Sequence, residues 1–429
     1  MLNRLVAGLA VLAILGVAGF AALAWRPAIA PIERPAPASF SPAEVARGEI
    51  LAAGGYCAVC HTAKGGARYA GGYPLQTGFG TIYSTNITPD SATGIGAWSE
   101  AAFRRATREG ISRDGSQLYP AFPYDHFTKL TDADVAALYA YFMTRPPVHA
   151  PARANDLPFP LNIRALVAGW KLLFFRPGRF EPVPTRNAQW NRGAYLVEGL
   201  SHCGACHTPR NVLGAEKHGD AFAGAVIDNW VAPPLTRANP SPVPWSIDEL
   251  RAYLATGISR FHGTAAGPMS PVVHDGLAHL PESDVGAIAL YMADLAGGKS
   301  AQVPTIIDRA LAADASDLKR PYDPDARFYS AACASCHYNS ATPGPERPEL
   351  ALNSALGLAD PTNLVRATLF GIGAKEGAPG IVMPAFGHGF SDADVARLAA
   401  YLRRTRTSLP PWPDLEKKIA QIRAQGAGS

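Results

Sequence analysis

Cys57-Ala-Val-Cys60-His61, Cys203-Gly-Ala-Cys206-His207 and Cys333-Ala-Ser-Cys336-His337 are three copies of one pattern, and together they use all six cysteines of the chain. Two thiols three positions apart can each bond one vinyl group of a porphyrin, and the histidine next in the chain is then held beneath the iron as its proximal ligand. Two other readings compete. A structural zinc site would want a second pair of ligands close to each first pair, and an even cysteine count also allows three disulfides. Neither predicts a histidine directly after all three pairs. The pattern therefore predicts three covalently bound haem c groups, attached through Cys57, Cys60, Cys203, Cys206, Cys333 and Cys336, with His61, His207 and His337 on the irons.

The rest of the composition agrees with that architecture. A chain of 429 residues has room for about three domains of 100 to 150 residues, each with a core of its own. At 48% hydrophobic and 17% charged, with 41 Gly and 38 Pro, it is apolar and rich in turns, which suits short helices and long loops around a buried macrocycle and does not suit disorder. The net charge of +4 is small for this length and gives no reason to expect nucleic acid as a partner.

Outside the motifs, the N-terminal stretch bears on location. After the basic Met1-Leu-Asn-Arg4, Leu5 to Trp25 runs 21 residues without a charge, close to a bilayer span. With Arg4 retained inside, the rest of the chain is exported. Residues 1–26 read as an uncleaved membrane anchor or a cleaved signal peptide, with Ala22 and Ala24 near a possible cut, and the length of the run favours the anchor. Either way the expected location is the inner (cytoplasmic) membrane on its periplasmic side. Residues 27–43, including the proline-rich Pro35 to Pro42, read as a tether.

Each motif is followed by the same series of signals. A helical stretch ends in Gly-Ile at Gly110-Ile111, Gly257-Ile258 and Gly371-Ile372, where the glycine suits a helix C-terminal cap. A closing amphipathic stretch then begins at Leu130, Leu280 and Phe390; Thr131 and Ser391 look like N-caps, with Pro281 in that place in the middle copy. Tyr139, Tyr141, Tyr291 and Tyr401 recur in the closing stretches as expected core residues. The expected fold is all-α: three tandem cytochrome c-like domains at 44–150, 187–300 and 301–408, with an apolar linker at 151–186 and a C-terminal tail at 409–429.

Counting from the Gly-Ile glycine locates the sixth iron ligand. Met269 and Met383 each stand twelve residues on, and a thioether opposite the histidine favours reduced iron and raises its potential. In the first copy that position is Phe122, which cannot ligate. His126, four residues further, is the candidate sixth ligand of the first haem; Met143 or an open site are the alternatives. His274 and His388 stand five residues after the two methionines, so a histidine in this neighbourhood can also be a surface residue or one that stands just outside the iron's own ligands.

Pro74-Leu-Gln-Thr-Gly-Phe-Gly80, Ile82-Tyr-Ser-Thr-Asn-Ile-Thr-Pro89, Trp98-Ser, Gly110-Ile-Ser-Arg-Asp-Gly115 and Leu118-Tyr-Pro-Ala-Phe-Pro-Tyr124 resemble the tri-haem cytochrome c subunits of membrane-bound bacterial dehydrogenases acting on alcohols, aldehydes, sugar acids or nicotinate-type heterocycles. The resemblance implies a partner dehydrogenase catalytic subunit carrying a molybdenum cofactor, pyrroloquinoline quinone or flavin, and ubiquinone or a terminal oxidase as acceptor. Many such subunits have methionine where this chain has Phe122, and the Phe-Pro-Tyr-Asp-His wording is similar to subunits paired with molybdenum hydroxylases.

One segment stands outside the repeats. Leu157 to Phe180 is more apolar than a linker needs to be, and it reads either as packing in a seam between haem domains or as a docking or membrane-surface patch with Arg164, Lys171, Arg176 and Arg179 facing headgroups or a partner. A haem with both axial positions filled has no place for substrate, so the expected role is electron relay without substrate chemistry. The rivals are a peroxidase-like haem enzyme with an open first haem and a cytochrome arm of a terminal oxidase.

Overall fold

The computed structural model of the chain describes residues 2–297, 302–317, 319–320, 322–339, 343–344, 347–374, 376 and 382–427. The expected domain boundary between residues 300 and 301 lies outside them. The chain is helix-rich, and among the described residues it has three short two-stranded hairpins that the repeat pattern does not announce. It divides into two compact units: residues 1–183 with 198–202, and residues 184–197 with 203–429.

The first unit begins with the helix Leu2–Ala24, which is long and apolar enough to cross a membrane by length and composition. At 1.5 Å per residue its 23 residues reach about 35 Å. The expected tether after it is laid onto the unit. Ile29 N–H donates to Arg113 O at 2.8 Å, Ile32 N–H to Ala97 O at 3.0 Å, and Arg34 Nη2 to Met143 O at 2.7 Å. Prolines keep this segment extended, and the amides between them find carbonyls rather than water.

The helix Pro42–Gly54 starts at Ser41, whose hydroxyl accepts from Glu44 N–H, with proline in the first turn as an N-terminus favours. It crosses the closing helix Asp132–Met143 at Gly48, where a Cβ would collide with the Ala137 carbonyl oxygen and with Tyr141. In the second unit Gly193, on the helix Ala188–Tyr195, meets Ala287 O and Tyr291 of the closing helix Glu282–Ala296 in the same way. Only a residue without a side chain lets the two backbones come this close. Gly48→Val is expected to cost about 1–3 kcal/mol or more through overpacking. Thermal unfolding would register it as a lowered Tm, and an unchanged Tm would refute the close crossing.

The helices ending in Gly-Ile form as the signals indicate. Glu100–Glu109 and Ile247–Thr256 are capped by Ser99 and Ser246 and end at left-handed Gly110 (φ 62°) and Gly257 (φ 77°). The third, Thr362–Phe370, ends at Gly371 (φ 76°). Thr131 caps Asp132–Met143, Pro281 precedes Glu282–Ala296, and Ser391 forms a reciprocal capping box with Asp394 ahead of Asp392–Arg406. The recurring tyrosines are core: Tyr139, Tyr141, Tyr291 and Tyr401 are all buried.

The second unit holds both remaining motifs. Asn363 joins their surroundings: Val231 N–H donates to its Oδ1 at 2.9 Å, and its Nδ2 donates to Val231 O at 2.8 Å. A helix without a sequence signal of its own, Val303–Asp317, brings Asp314 and Asp317 to Arg406, whose side chain is wholly buried. A charge so placed needs its partners, because an unpaired one would pay the full desolvation penalty. The expected C-terminal tail is packed rather than loose. Its helix Leu415–Gln425 buries Ile419 and Ile422 against Val365, Leu369 and Val395.

The apolar segment 157–180 forms part of the first unit. The helix Val167–Phe174 touches the N-terminal helix, with Phe20 over Gly169, while Phe159, Leu172 and Leu173 stay exposed at 79%, 65% and 58%. Lys171 turns inward and donates to Glu109 O, Gly110 O and Gln117 Oε1 at 2.6 to 2.8 Å, so it does not face headgroups. Arg179 pairs with Asp132, and Arg164 lies over the Tyr119 ring.

Candidate haem-binding centres

The three motifs place their donors alike. Cys57–Cys60 is a single helical turn, so its two thiols share one face and His61 stands at the turn's end. His61 Nδ1 lies 2.7 Å from Thr85 O. His207 Nδ1 stands 2.7 Å from Pro233 O, and His337 Nδ1 stands 3.0 Å from Pro348 O. A carbonyl only accepts, so each Nδ1 carries the proton and Nε2 is left as the basic nitrogen, the tautomer and orientation an iron ligand needs. Desolvation holds all three imidazoles below the usual histidine range, against the opposing pull of those carbonyls, and keeps them neutral.

No disulfide joins any two of the cysteines among the described residues. Burial first, and the neighbouring cysteine second, push Cys57 and Cys203 up to about 12 and Cys333 to about 11. They are thiols at neutral pH in the metal-free chain.

The ligand loops are closed by the backbone around each Gly-Ile. Leu118 N–H donates to Gly110 O at 2.8 Å, Ala265 N–H to Gly257 O at 2.7 Å, and Ile372 and Met383 exchange both backbone bonds at 2.9 and 3.1 Å. Met383 is thereby fixed half-buried beside its glycine, and Met269 is the first residue of the helix Met269–His274, also half-buried. Phe122 packs on Phe127 with ring centres 5.4 Å apart. Met143 is fully buried on the closing helix.

His126 sits on the short helix Tyr124–Phe127, buried, with Nδ1 2.8 Å from Glu198 O. This is the same use of Nδ1 that orients the motif histidines. His274 is placed differently. Its ring covers Gly257, as the Tyr124 ring covers Gly110, and its Nε2 is the nitrogen facing a carbonyl, Glu376 O at 3.4 Å. The packing place of His274 is therefore filled by Tyr124 in the first copy. His388 is exposed.

Several buried polar atoms lack hydrogen-bond partners among the described residues: the Tyr124 hydroxyl in the first copy, both ring nitrogens of His262 in the second, and Nε and Nη1 of Arg366 in the third. His262 stacks on Trp245 at 3.7 Å, and desolvation holds it down to about 3. Arg366 is fully buried, with Nη2 on Gly426 O and Ala427 O. Buried polar groups are almost always satisfied, and the two propionates of a porphyrin offer acceptors of the kind these donors need. The residues present fit a covalently attached haem. Sequence reading missed His262, Arg366 and the three carbonyls, because single residues far from the cysteines give no spacing signal.

Comparison with known proteins gives a consistent picture. Two family models match: Cytochrome c over residues 45–146, and Cytochrome C oxidase, cbb3-type, subunit III over residues 322–402. The chain is 50% identical over 412 residues to a nicotinate dehydrogenase subunit of Pseudomonas putida, covering 94% of this chain but 34% of that relative, so it spans about a third of that protein's length. It is 40% identical over 396 residues to the fructose dehydrogenase cytochrome subunit of Gluconobacter japonicus, covering 86% of this chain and 80% of the relative. It is likewise 40% identical over 379 residues to the gluconate 2-dehydrogenase cytochrome c subunit of Pantoea cypripedii, covering 84% and 85%.

Proposed function

This chain belongs to the cytochrome c subunits of membrane-bound dehydrogenases, and from that premise we propose that it carries three haem c groups in three tandem domains. It relays electrons from a partner dehydrogenase catalytic subunit to ubiquinone or a terminal oxidase, at the periplasmic face of the inner membrane. The observation that supports this best is the threefold repetition of two thiols beside a histidine whose Nδ1 is held by a carbonyl.

Bound haem supplies one-electron chemistry; the residues of the chain set its position and potential. His61, His207 and His337 would each hold an iron through Nε2. Met269 and Met383 would offer thioethers, which favour reduced iron, and His126 an imidazole, which would place the first centre lower. The helix Leu2–Ala24 anchors the chain, and the exposed Phe159, Leu172 and Leu173 of the same unit extend the apolar surface toward the bilayer. The catalytic partner carries a molybdenum cofactor, quinone or flavin. The similarity over 94% of this chain to a nicotinate dehydrogenase subunit favours a partner that oxidises a nicotinate-type heterocycle.

Affinity purification of the tagged chain from native membranes should bring down a dehydrogenase catalytic subunit, and that subunit's substrate should reduce the haems. Carbon monoxide, cyanide and peroxide should leave the spectrum unchanged. Ligand binding at one haem with peroxide turnover would instead support a haem enzyme with an open first site.

A further inference from the structure

The first unit contains Glu198–His202, the five residues that lead into the second haem motif. Tyr56 stands immediately before Cys57, and His202 immediately before Cys203. These two side chains meet within that unit: Tyr56 Oη lies 2.6 Å from His202 Nδ1, with ring centres 4.3 Å apart. Tyr56 Oη also lies 2.9 Å from Ser201 O. A hydroxyl has one proton and a carbonyl can only accept, so both contacts are satisfied when Oη–H donates to Ser201 O and Nδ1–H of His202 donates to Oη.

The backbone at both positions is unusual. Tyr56 has φ 37° and His202 φ 31°, left-handed values that side-chain-bearing residues seldom adopt. Such conformations persist where the surroundings over-determine them, and they gather at functional sites. At the third motif the corresponding residue, Ala332, ends an ordinary helix, Pro324–Ala332. Only the two motifs whose leading side chains touch carry the strained residue. The contact is also enclosed: Tyr56 and His202 are buried, Phe127 packs on the His202 ring at 5.3 Å, and Ser201 Oγ donates to Gly54 O at 2.9 Å.

We propose that the Tyr56–His202 hydrogen bond is the electron conduit between the first and second haem motifs. It rests on the reading that both motifs bear haem. Each cysteine is the attachment point of its porphyrin, so the chain of atoms runs from Cys57 through Tyr56, across one short hydrogen bond, and through His202 to Cys203. Electronic coupling falls more steeply across a van der Waals gap than across a hydrogen bond, and this route contains no such gap. One electron leaves the donor iron and one is gained by the acceptor iron; the Tyr56 and His202 protons stay in place, and no bond is made or broken.

The test uses the full chain with haem attached. Tyr56→Phe keeps the ring and removes the bridging oxygen, and His202→Gln keeps a side-chain donor. Flash-initiated electron equilibration between the first two haems should slow roughly tenfold in Tyr56→Phe. It should recover in part in His202→Gln, with haem content and the potentials of all three centres unchanged. An unchanged equilibration rate in Tyr56→Phe at intact haem content would overturn the proposal. Loss of a haem in either variant would also overturn it, assigning the contact to attachment rather than transfer. If the wild-type chain proves to lack one of these two haems, the underlying reading fails instead, and haem content distinguishes the two failures.

Discussion

Cys203→Ala combined with Cys206→Ala is expected to lower the covalent haem content from three per chain to two, read as the pyridine haemochrome stoichiometry and the mass of the denatured polypeptide. Both thioether bonds are lost at once, and His207 alone cannot retain a porphyrin through denaturation. The remaining two centres should keep their haem, because each retains its own cysteines and a motif histidine braced within its own copy: His61 by Thr85 O, and His337 by Pro348 O. The second unit should unfold at lower temperature, since a ligand bound only by the folded state stabilises it and its removal forfeits that stabilisation. A wild-type chain carrying two haems, or a variant that still carries three, would sink the three-haem reading.

His126→Ala is expected to convert one low-spin haem to a high-spin centre that binds carbon monoxide, leaving two low-spin His/Met signals. His126→Met should instead keep that haem low-spin and raise its potential on the order of 0.1 V, within the roughly 0.8 V that axial ligands span. The basis is Phe122 in the place where Met269 and Met383 stand in the other copies, with His126 four residues on, buried, and its Nδ1 2.8 Å from Glu198 O. Three unchanged low-spin signals in His126→Ala would remove His126 from the iron. Because the His126 ring is also 6.2 Å from that of His202, haem content should be measured alongside, so that a lost haem is not read as a lost ligand.

The sequence by itself determined whatever chemistry demands of residues close together along the chain. Two thiols one helical turn apart with a histidine next to them form a local pattern, so the three motifs are legible as copies of one arrangement. Helix caps are equally local, and Ser99, Thr131, Ser246 and Ser391 stand where capping places them. The stretches that carry Met269 and Met383 each fold back on their own Gly-Ile, Ala265 onto Gly257 and Met383 onto Ile372, so their spacing is a local one.

Only the tertiary structure decided what depends on residues distant in sequence. Gly48 was one of 41 glycines until Ala137 and Tyr141 were seen against it. The tether 27–43 lies bonded to the first unit, Lys171 turns inward onto the end of the Glu100–Glu109 helix, and the helix Val303–Asp317 neutralises a buried Arg406. Tyr56 and His202 are 146 positions apart, and nothing in either neighbourhood announces the other. The physical reason is the same throughout: bonds and turns act over a few residues and leave a pattern in the sequence. Close approach and burial act between surfaces, and they select a residue only after the chain has brought those surfaces together.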